Sequence, residues 1–129
     1  MFILTFFSAL SQLLLKLSAN EKHESMLREY LNVRYVDGQV LVSAKEEFGS
    51  AFDGIKVQFG KIFGISVEEY VENRRMNAAK ELLRFSVKPM EEVAAESGIG
   101  DYRTMQKMFE AKENMSAEEY RMKWSQWVK

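Results

Sequence analysis

The sequence predicts an all-α fold, and three observations lead to that prediction. A segment occurs twice, as FGKIFGISVEEYV from Phe59 and as FEAKENMSAEEYR from Phe109. Each copy carries a serine three residues before a glutamate, which is the S-x-x-E spacing of a helix-capping box. Upstream of each serine, apolar residues recur at the three- and four-residue intervals of one helix face. Two copies predict one helical unit used twice, since a solenoid needs at least three.

The composition is that of a soluble globular protein and gives little support to an enzyme. Hydrophobic residues make up 47% of the chain and charged residues 29%, as in ordinary globular domains. The chain contains no cysteine, which excludes disulfides and thiolate metal sites and allows a reducing compartment. Its one histidine, His23, has no set of further ligands in the sequence. We therefore expect a cytoplasmic protein with no metal, no cofactor and no catalysis.

The net charge of the chain argues against a nucleic-acid-binding protein that relies on electrostatic attraction alone. The chain carries 18 basic and 19 acidic residues, for a net charge of −1, whereas such binders present a basic face. Many of the acids fall in predicted first helical turns, where the helix dipole favours a carboxylate. A local basic patch is therefore still compatible with the balanced total.

Residues 3–18 are strongly apolar, and their alternating four- and three-residue spacings predict a helix with one apolar seam. A signal peptide is the rival interpretation, but no basic residue precedes the run. The run is also too short to cross a bilayer, and it is interrupted by Lys16. We predict that residues 1–20 form a linker or dimerisation helix that faces a partner or a second copy, in preference to membrane attachment.

Three helices are predicted in the first half of the remaining chain. Gly49 can adopt the positive φ that a tight turn between two helices requires. The Asp37-Gly38 pair predicts another turn. The three helices cover about residues 20–33, 40–48 and 51–63.

The second half begins with the longest predicted helix, which Ser66 opens and which ends near Phe85. Pro89 suits the first turn of the next helix, and Gly98 ends it with a second tight turn. Final helices are predicted over about 101–112 and 116–127. The resulting organisation has two lobes, about 21–65 and 86–129, joined by the helix over 66–85.

Each lobe reads as helix, glycine turn and helix, which fits the helix-turn-helix, a motif whose second helix enters a DNA major groove. Glycine turns also join helices in many all-α domains that bind no DNA. From this pattern alone, a purely structural role stays open.

Three further motifs resemble a known family. RMNAAKELL from Arg75 is similar to that family's Arg-Leu-x-x-Ala-x-x-Leu-Leu joining helix, with Met76 in place of the usual leucine. PMEEVAAESGIGDYRTMQKMF resembles its second helix-turn-helix, and NMSAEEYR resembles its closing G-x-S-P-x-x-Y-R. Order and spacing agree over about residues 24–124. The arrangement resembles the DNA-binding domain of the AraC/XylS family of bacterial transcription regulators.

The resemblance implies a transcription regulator that binds double-stranded DNA sequence-specifically. Its recognition helices, about 51–63 and 101–112, would occupy successive major grooves about 34 Å apart. RNA polymerase or a second regulator subunit is the implied protein partner, and a homodimer would form through residues 3–18. Because family members carry a separate sensing or dimerisation domain, we expect either a stand-alone short form or the tail of a longer regulator.

The resemblance also implies which residues face DNA. In the second recognition helix, Met105 and Phe109 face inward. Arginine and lysine can donate to guanine, and glutamine can pair with adenine. The residues expected at the groove are Tyr102, Arg103, Gln106 and Lys107.

In the first recognition helix, Ile55 and Phe59 are expected in the core. Gly54 and Gly60 each weaken a helix by up to about 1 kcal/mol relative to alanine, so we expect less base readout here than in the second. The residues expected at the groove are Phe52, Asp53, Lys56 and Val57.

Several departures from the family pattern lower the expected DNA affinity. The pair Glu110-Ala111 stands where the family has two lysines, and Asn114 and Ala117 replace its glycine and proline. Each lost phosphate contact removes about 0.9 from the salt slope of binding. The alternative function is therefore an interaction protein that keeps the fold, binds DNA weakly and contacts other regulators through residues 3–18. A membrane-tethered regulator is a third interpretation.

Overall fold

The computed structural model describes residues 23–125, and this part of the chain is helical without strands, which confirms the all-α prediction. A short 3-10 helix, Gly49–Ala51, joins the second and third helices. The α-helices are α1 (23–34), α2 (Val40–Phe48), α3 (Phe52–Phe63), α4 (Val67–Phe85), α5 (Met90–Glu96), α6 (Tyr102–Glu113) and α7 (Ala117–Trp124).

The helices predicted at the two ends of the chain have different outcomes. The helix expected over residues 3–18 lies outside the described residues. The last helix ends at Trp124 and does not continue to residue 127, because Ser125 has the extended backbone angles φ −70° and ψ 138°.

The chain forms two compact units. Of the described residues, the first unit contains 23–33 and Leu41–Val67, and the second contains Arg34–Val40 and 68–125. The helix that the sequence presents as a connector, α4, thus packs within the second unit from Glu68 onward.

In the first unit, each helix contributes one apolar stripe to the interior. Leu27 and Leu31 of α1 are fully buried, as is Phe59 of α3. The Tyr30 ring of α1 meets the Phe48 ring of α2 edge to face, with ring centres 5.8 Å apart. Such aromatic contacts add to the free energy of burial.

The core of the second unit draws on all four of its helices. Residues at three- and four-residue spacing along α4 and α6 fall on one face of each helix, and those faces meet α5 and α7. The buried cluster consists of Met76, Ala79, Leu83, Val93, Ala94, Met105, Phe109, Ala117 and Tyr120.

The segment Arg34–Val40 is tied to the rest of the second unit at two points. Arg75 of α4 donates from Nε to the carbonyl of Tyr35 at 2.7 Å and from Nη2 to the carbonyl of Asp37 at 2.9 Å. Gly98 has a φ of +89°, and a Cβ there would lie 2.7 Å from the Cα of Val36. Only glycine fits this turn, because both its conformation and its close backbone contact exclude a side chain.

Candidate nucleic-acid interface

The start of α6 is held by a side-chain cap. Asp101 is the N-cap residue, and its carboxylate accepts from the backbone N–H of Thr104 at 2.7 Å. This hydrogen bond lowers the pKa of Asp101 below its ordinary value, and the nearby cations of Arg103 and Lys107 lower it further. The cap defines where α6 begins and fixes its first turn.

The outer face of α6 presents two cations. Met105 and Phe109 are fully buried, whereas Arg103 and Lys107 are exposed and stand one helical turn apart. Neither makes a hydrogen bond or an ion pair with any residue from 23 to 125. Their charges are therefore available to an anionic partner.

The adjacent strip of α6 is engaged inside the protein. Gln106 and Tyr102 are half-buried, and both hydrogen-bond to Glu118 at the start of α7. Gln106 also accepts from the backbone N–H of Ala117 at 2.8 Å. The amide of Gln106 thus bridges α6 to α7, and its contact with a base stays a prediction.

The last turn of α6 is bound to α4. Lys80 pairs with Glu113 at 2.9 Å. Lys112 donates to Asn73 at 3.3 Å and lies 3.9 Å from the carboxylate of Glu72. The basic residue near the end of α6 thus holds two helices together, in contrast to those near its beginning.

Helix α7 is capped at its start and is bonded to the end of α4. The predicted capping box is present, since Ser116 accepts from the N–H of Glu119 at 3.0 Å while Glu119 accepts from the N–H of Ser116 at 2.9 Å. Arg121 donates to the carbonyls of Leu83 and Lys88 at 3.2 and 2.8 Å. Burial lowers the pKa of Arg121. These bonds satisfy a carbonyl at the end of α4 that has no partner within that helix.

In the first unit, α3 offers a different surface. Asp53 and Val57 are exposed, but Phe52 is only 5% exposed and belongs to the core. The expectation that Phe52 faces a groove is therefore corrected, because Phe52 lies on the same face of α3 as the buried Ile55 and Phe59. Lys56 lies with its Nζ 5.5 Å from the centre of the Phe52 ring.

Glu118 was not predicted from the sequence as part of this candidate site. Its position in the first turn of α7 has an ordinary explanation in the helix dipole, and no local pattern links it to α6. The one available signal was its place in the repeat beside Ser116 and Glu119, which predicts a helix start but no partner.

Residues 23–125 contain no group of three or more His, Cys, Asp or Glu side chains arranged to hold a metal ion. Within the same residues, no helix is both long and apolar enough to cross a membrane.

Fold and site together define a helix-turn-helix protein with one well-anchored candidate recognition helix. A family model described as a helix-turn-helix domain matches residues 55–123, which is more than half of the chain. The chain belongs to this family of AraC-type helix-turn-helix domains.

Two known proteins are similar to part of this chain. They are the virulence regulon transcriptional activator VirF of Yersinia enterocolitica and the thermoregulatory protein LcrF of Yersinia pestis. Each is 29% identical to this chain over 76 residues, which is 59% of this chain. The match covers only 28% of the length of either relative.

Proposed function

We propose that this protein is a transcription regulator that binds duplex DNA sequence-specifically, with α6 as its main base-reading helix. The observation that carries the proposal is the pair Arg103 and Lys107, exposed on a helix whose first turn, core face and last turn are all anchored. A similar protein named as a transcriptional activator supports the regulatory part of the proposal.

In this proposal, Arg103 and Lys107 act as donors. Either can donate to the O6 and N7 acceptors of guanine in the major groove, and either can hold a phosphate instead. Asp101 lies near both cations and would repel phosphates, so it confines close approach to the part of α6 beyond its first residue. With a net charge of −1, affinity depends on this local pair and not on the whole field of the protein.

Helix α3 has the weaker claim to base readout. Asp53 can accept from a cytosine amino group, Lys56 can reach a phosphate, and Val57 can contact a thymine methyl group. The sequence-based prediction that α3 and α6 occupy successive major grooves stays a prediction. The length of DNA protected by the protein tests it, because one helix covers a single groove.

The deciding experiment is fluorescence anisotropy with a pool of random-sequence duplexes across a salt series, followed by sequencing of the retained duplexes. We expect binding that weakens with salt and enriches a motif. Arg103→Ala should erase one preferred base of that motif. The matched control is Lys112→Ala, which removes the same charge from the same helix on the side that contacts α4, and should leave the motif intact.

Absence of binding at low salt would contradict the proposal. It would favour the interaction protein, for which the net charge of −1 and the exposed Asp53 are the supporting observations. Protein partners such as RNA polymerase, a second regulator subunit or a second copy through residues 3–18 belong to the same proposal. Light scattering of the purified chain tests the homodimer.

A further inference from the structure

Every hydrogen-bonding atom of the Gln106 side chain has a partner within the second unit. Its Nε2 lies 2.6 Å from the hydroxyl of Tyr102 and also donates to Oε1 of Glu118. Its Oε1 accepts from the backbone N–H of Ala117 at 2.8 Å. A side-chain amide has two N–H donors, and both are used here.

Tyr102 completes the arrangement with a consistent direction of donation. Its hydroxyl accepts from Gln106 and donates to Oε2 of Glu118. Burial opposes ionisation of Glu118, but the hydrogen bonds from Tyr102 and Gln106 outweigh it and hold the pKa of Glu118 below its ordinary value. The bond to Glu118 in turn raises the pKa of Tyr102. The network is therefore a charged carboxylate with two neutral donors at neutral pH.

We propose that Glu118, a residue of α7, determines the base specificity of α6 by holding Gln106 and Tyr102 away from DNA, so that Arg103 and Lys107 read the sequence. The inference rests on the proposed function above. It deepens that function by assigning specificity to a residue that lies outside the recognition helix.

The physical reason is the set of bonds that Gln106 would have to give up. A bidentate pair with adenine needs one N–H and the carbonyl oxygen of the amide. An adenine contact would use an N–H that is now bonded to Glu118 or Tyr102, and turning the amide toward a base would also move its oxygen away from the N–H of Ala117. The N–H of Ala117 belongs to the first turn of α7 and has no acceptor within that helix. A donor left without a partner away from water is costly. The network therefore favours the conformation in which the Gln106 amide keeps its present bonds.

Removing Glu118 changes this balance. With Glu118→Ala, one N–H of Gln106 and the hydroxyl of Tyr102 lose their acceptor. Gln106 then gains by pairing with a base, and the carboxylate no longer competes for it. The variant should therefore add a base preference that the wild-type protein does not have.

The test is selection from the random duplex pool for the wild-type chain, Glu118→Ala, and the double variant Glu118→Ala with Gln106→Ala. Glu118→Ala is expected to keep the wild-type motif and to gain a preference for adenine of roughly 10-fold at one further position, within the range of a bidentate amide contact. The double variant should lose that gain. A merely structural role of Glu118 would weaken binding to all duplexes equally and add no preference.

Two further variants keep the test decisive. Glu119→Gln removes the neighbouring negative charge while retaining the capping box, and should add no adenine preference. Glu118→Gln preserves the size of the side chain and removes one of its two acceptor oxygens, and should give a smaller gain. If circular dichroism shows that Glu118→Ala does not fold, Glu118→Gln takes its place in the test.

The outcomes separate the two proposals. If the wild-type chain enriches no motif, the proposed function is overturned, and the inference falls with it. If the wild-type chain enriches a motif and Glu118→Ala enriches the same motif without a new adenine, the inference alone is overturned. Loss of a preferred base in the single variant Gln106→Ala would also overturn it, because Gln106 would then read DNA in the wild-type protein.

Discussion

Both helix-turn-helix segments have a positive-φ glycine before their second helix, and they differ in the rest of the turn and in how that helix is anchored. Gly49 and Gly98 both adopt positive φ, at 60° and 89°, and α3 and α6 both end in a left-handed residue, Gly64 and Asn114. The start of α6 is capped by the side chain of Asp101, whereas the N-cap of α3 is Ala51, which makes no side-chain cap.

The difference continues along the helices. Helix α6 has no glycine and is bonded to α4 and α7 by side chains, whereas α3 contains Gly54 and Gly60. A base contact needs a side chain held in one geometry, and a well-anchored helix loses less entropy when it binds. The comparison teaches that two segments that share a sequence repeat can differ in how their second helices are held.

The largest expected effect tests whether the two cores are equivalent. Phe59 and Phe109 occupy matching positions of the repeat, and both are 0% exposed. Replacing either by alanine should cost about 3 to 5 kcal/mol of unfolding free energy, since a large buried ring is lost and a cavity is left. Urea unfolding followed by circular dichroism measures both. A much smaller loss for Phe59→Ala would show that the first unit is loosely packed.

The next effect separates the two turns. Gly98→Ala places a Cβ 2.7 Å from the Cα of Val36 at positive φ, and should cost about 2 to 4 kcal/mol, because overpacking adds to the conformational penalty. Gly49→Ala is the matched control, since it meets nothing within 4 Å, and should cost about 1 to 2 kcal/mol. Equal losses in thermal unfolding would argue against the close contact at Gly98.

Substitutions in α6 and α3 should affect DNA binding in different ways. Arg103→Ala is expected to cost about 1 to 3 kcal/mol of specific binding and to relax one base preference. Lys56→Ala should weaken binding to all duplexes alike and reduce the salt slope by about 0.9, as loss of a phosphate contact does. Anisotropy titrations with the selected duplex and a scrambled one measure both. If Lys56→Ala changes the preferred sequence, α3 reads bases after all.

A smaller effect would make α3 more like α6. Gly54 lies within α3, and a Cβ there meets nothing within 4 Å. Gly54→Ala should therefore stabilise the protein by about 0.5 to 1 kcal/mol through helix propensity. A raised thermal midpoint confirms this expectation. A lowered one would mean that the surface near Gly54 is not open.

The smallest expected effect is a pH dependence confined to the second unit. The pKa values of Asp101 and Glu118 lie below their ordinary values of 3.8 and 4.5. Carboxyls with a lowered folded-state pKa stabilise the fold above their ordinary pKa and lose that contribution as the pH falls below it. The urea concentration at the unfolding midpoint should therefore decrease as the pH is lowered below about 4.5. Asp101→Asn retains a capping side chain and should flatten this dependence, which an unchanged pH profile would contradict.

Much of the fold could be predicted locally. The capping box at Ser116, the helix boundaries near Val40 and Phe85 and the positive φ of Gly98 follow from residues close together in sequence. Apolar spacing indicated Met105 and Phe109 as core, and the resemblance implied that Arg103 and Lys107 face outward. The placement of Phe52 at the groove, which the resemblance implied, was wrong, because Phe52 lies three residues before Ile55 and seven before Phe59, on the buried face of α3.

The sequence by itself determined most of the helices and the capping box at Ser116, because these depend on side chains within about one helical turn of each other. The helix-turn-helix family followed from the order and spacing of the motifs. Tertiary structure decided what Gln106, Glu118 and Gly98 do. A hydrogen bond between α6 and α7, or a glycine against the backbone of Val36, joins residues distant in sequence. Only packing brings them together, and only their distances show which polar side chains are already occupied.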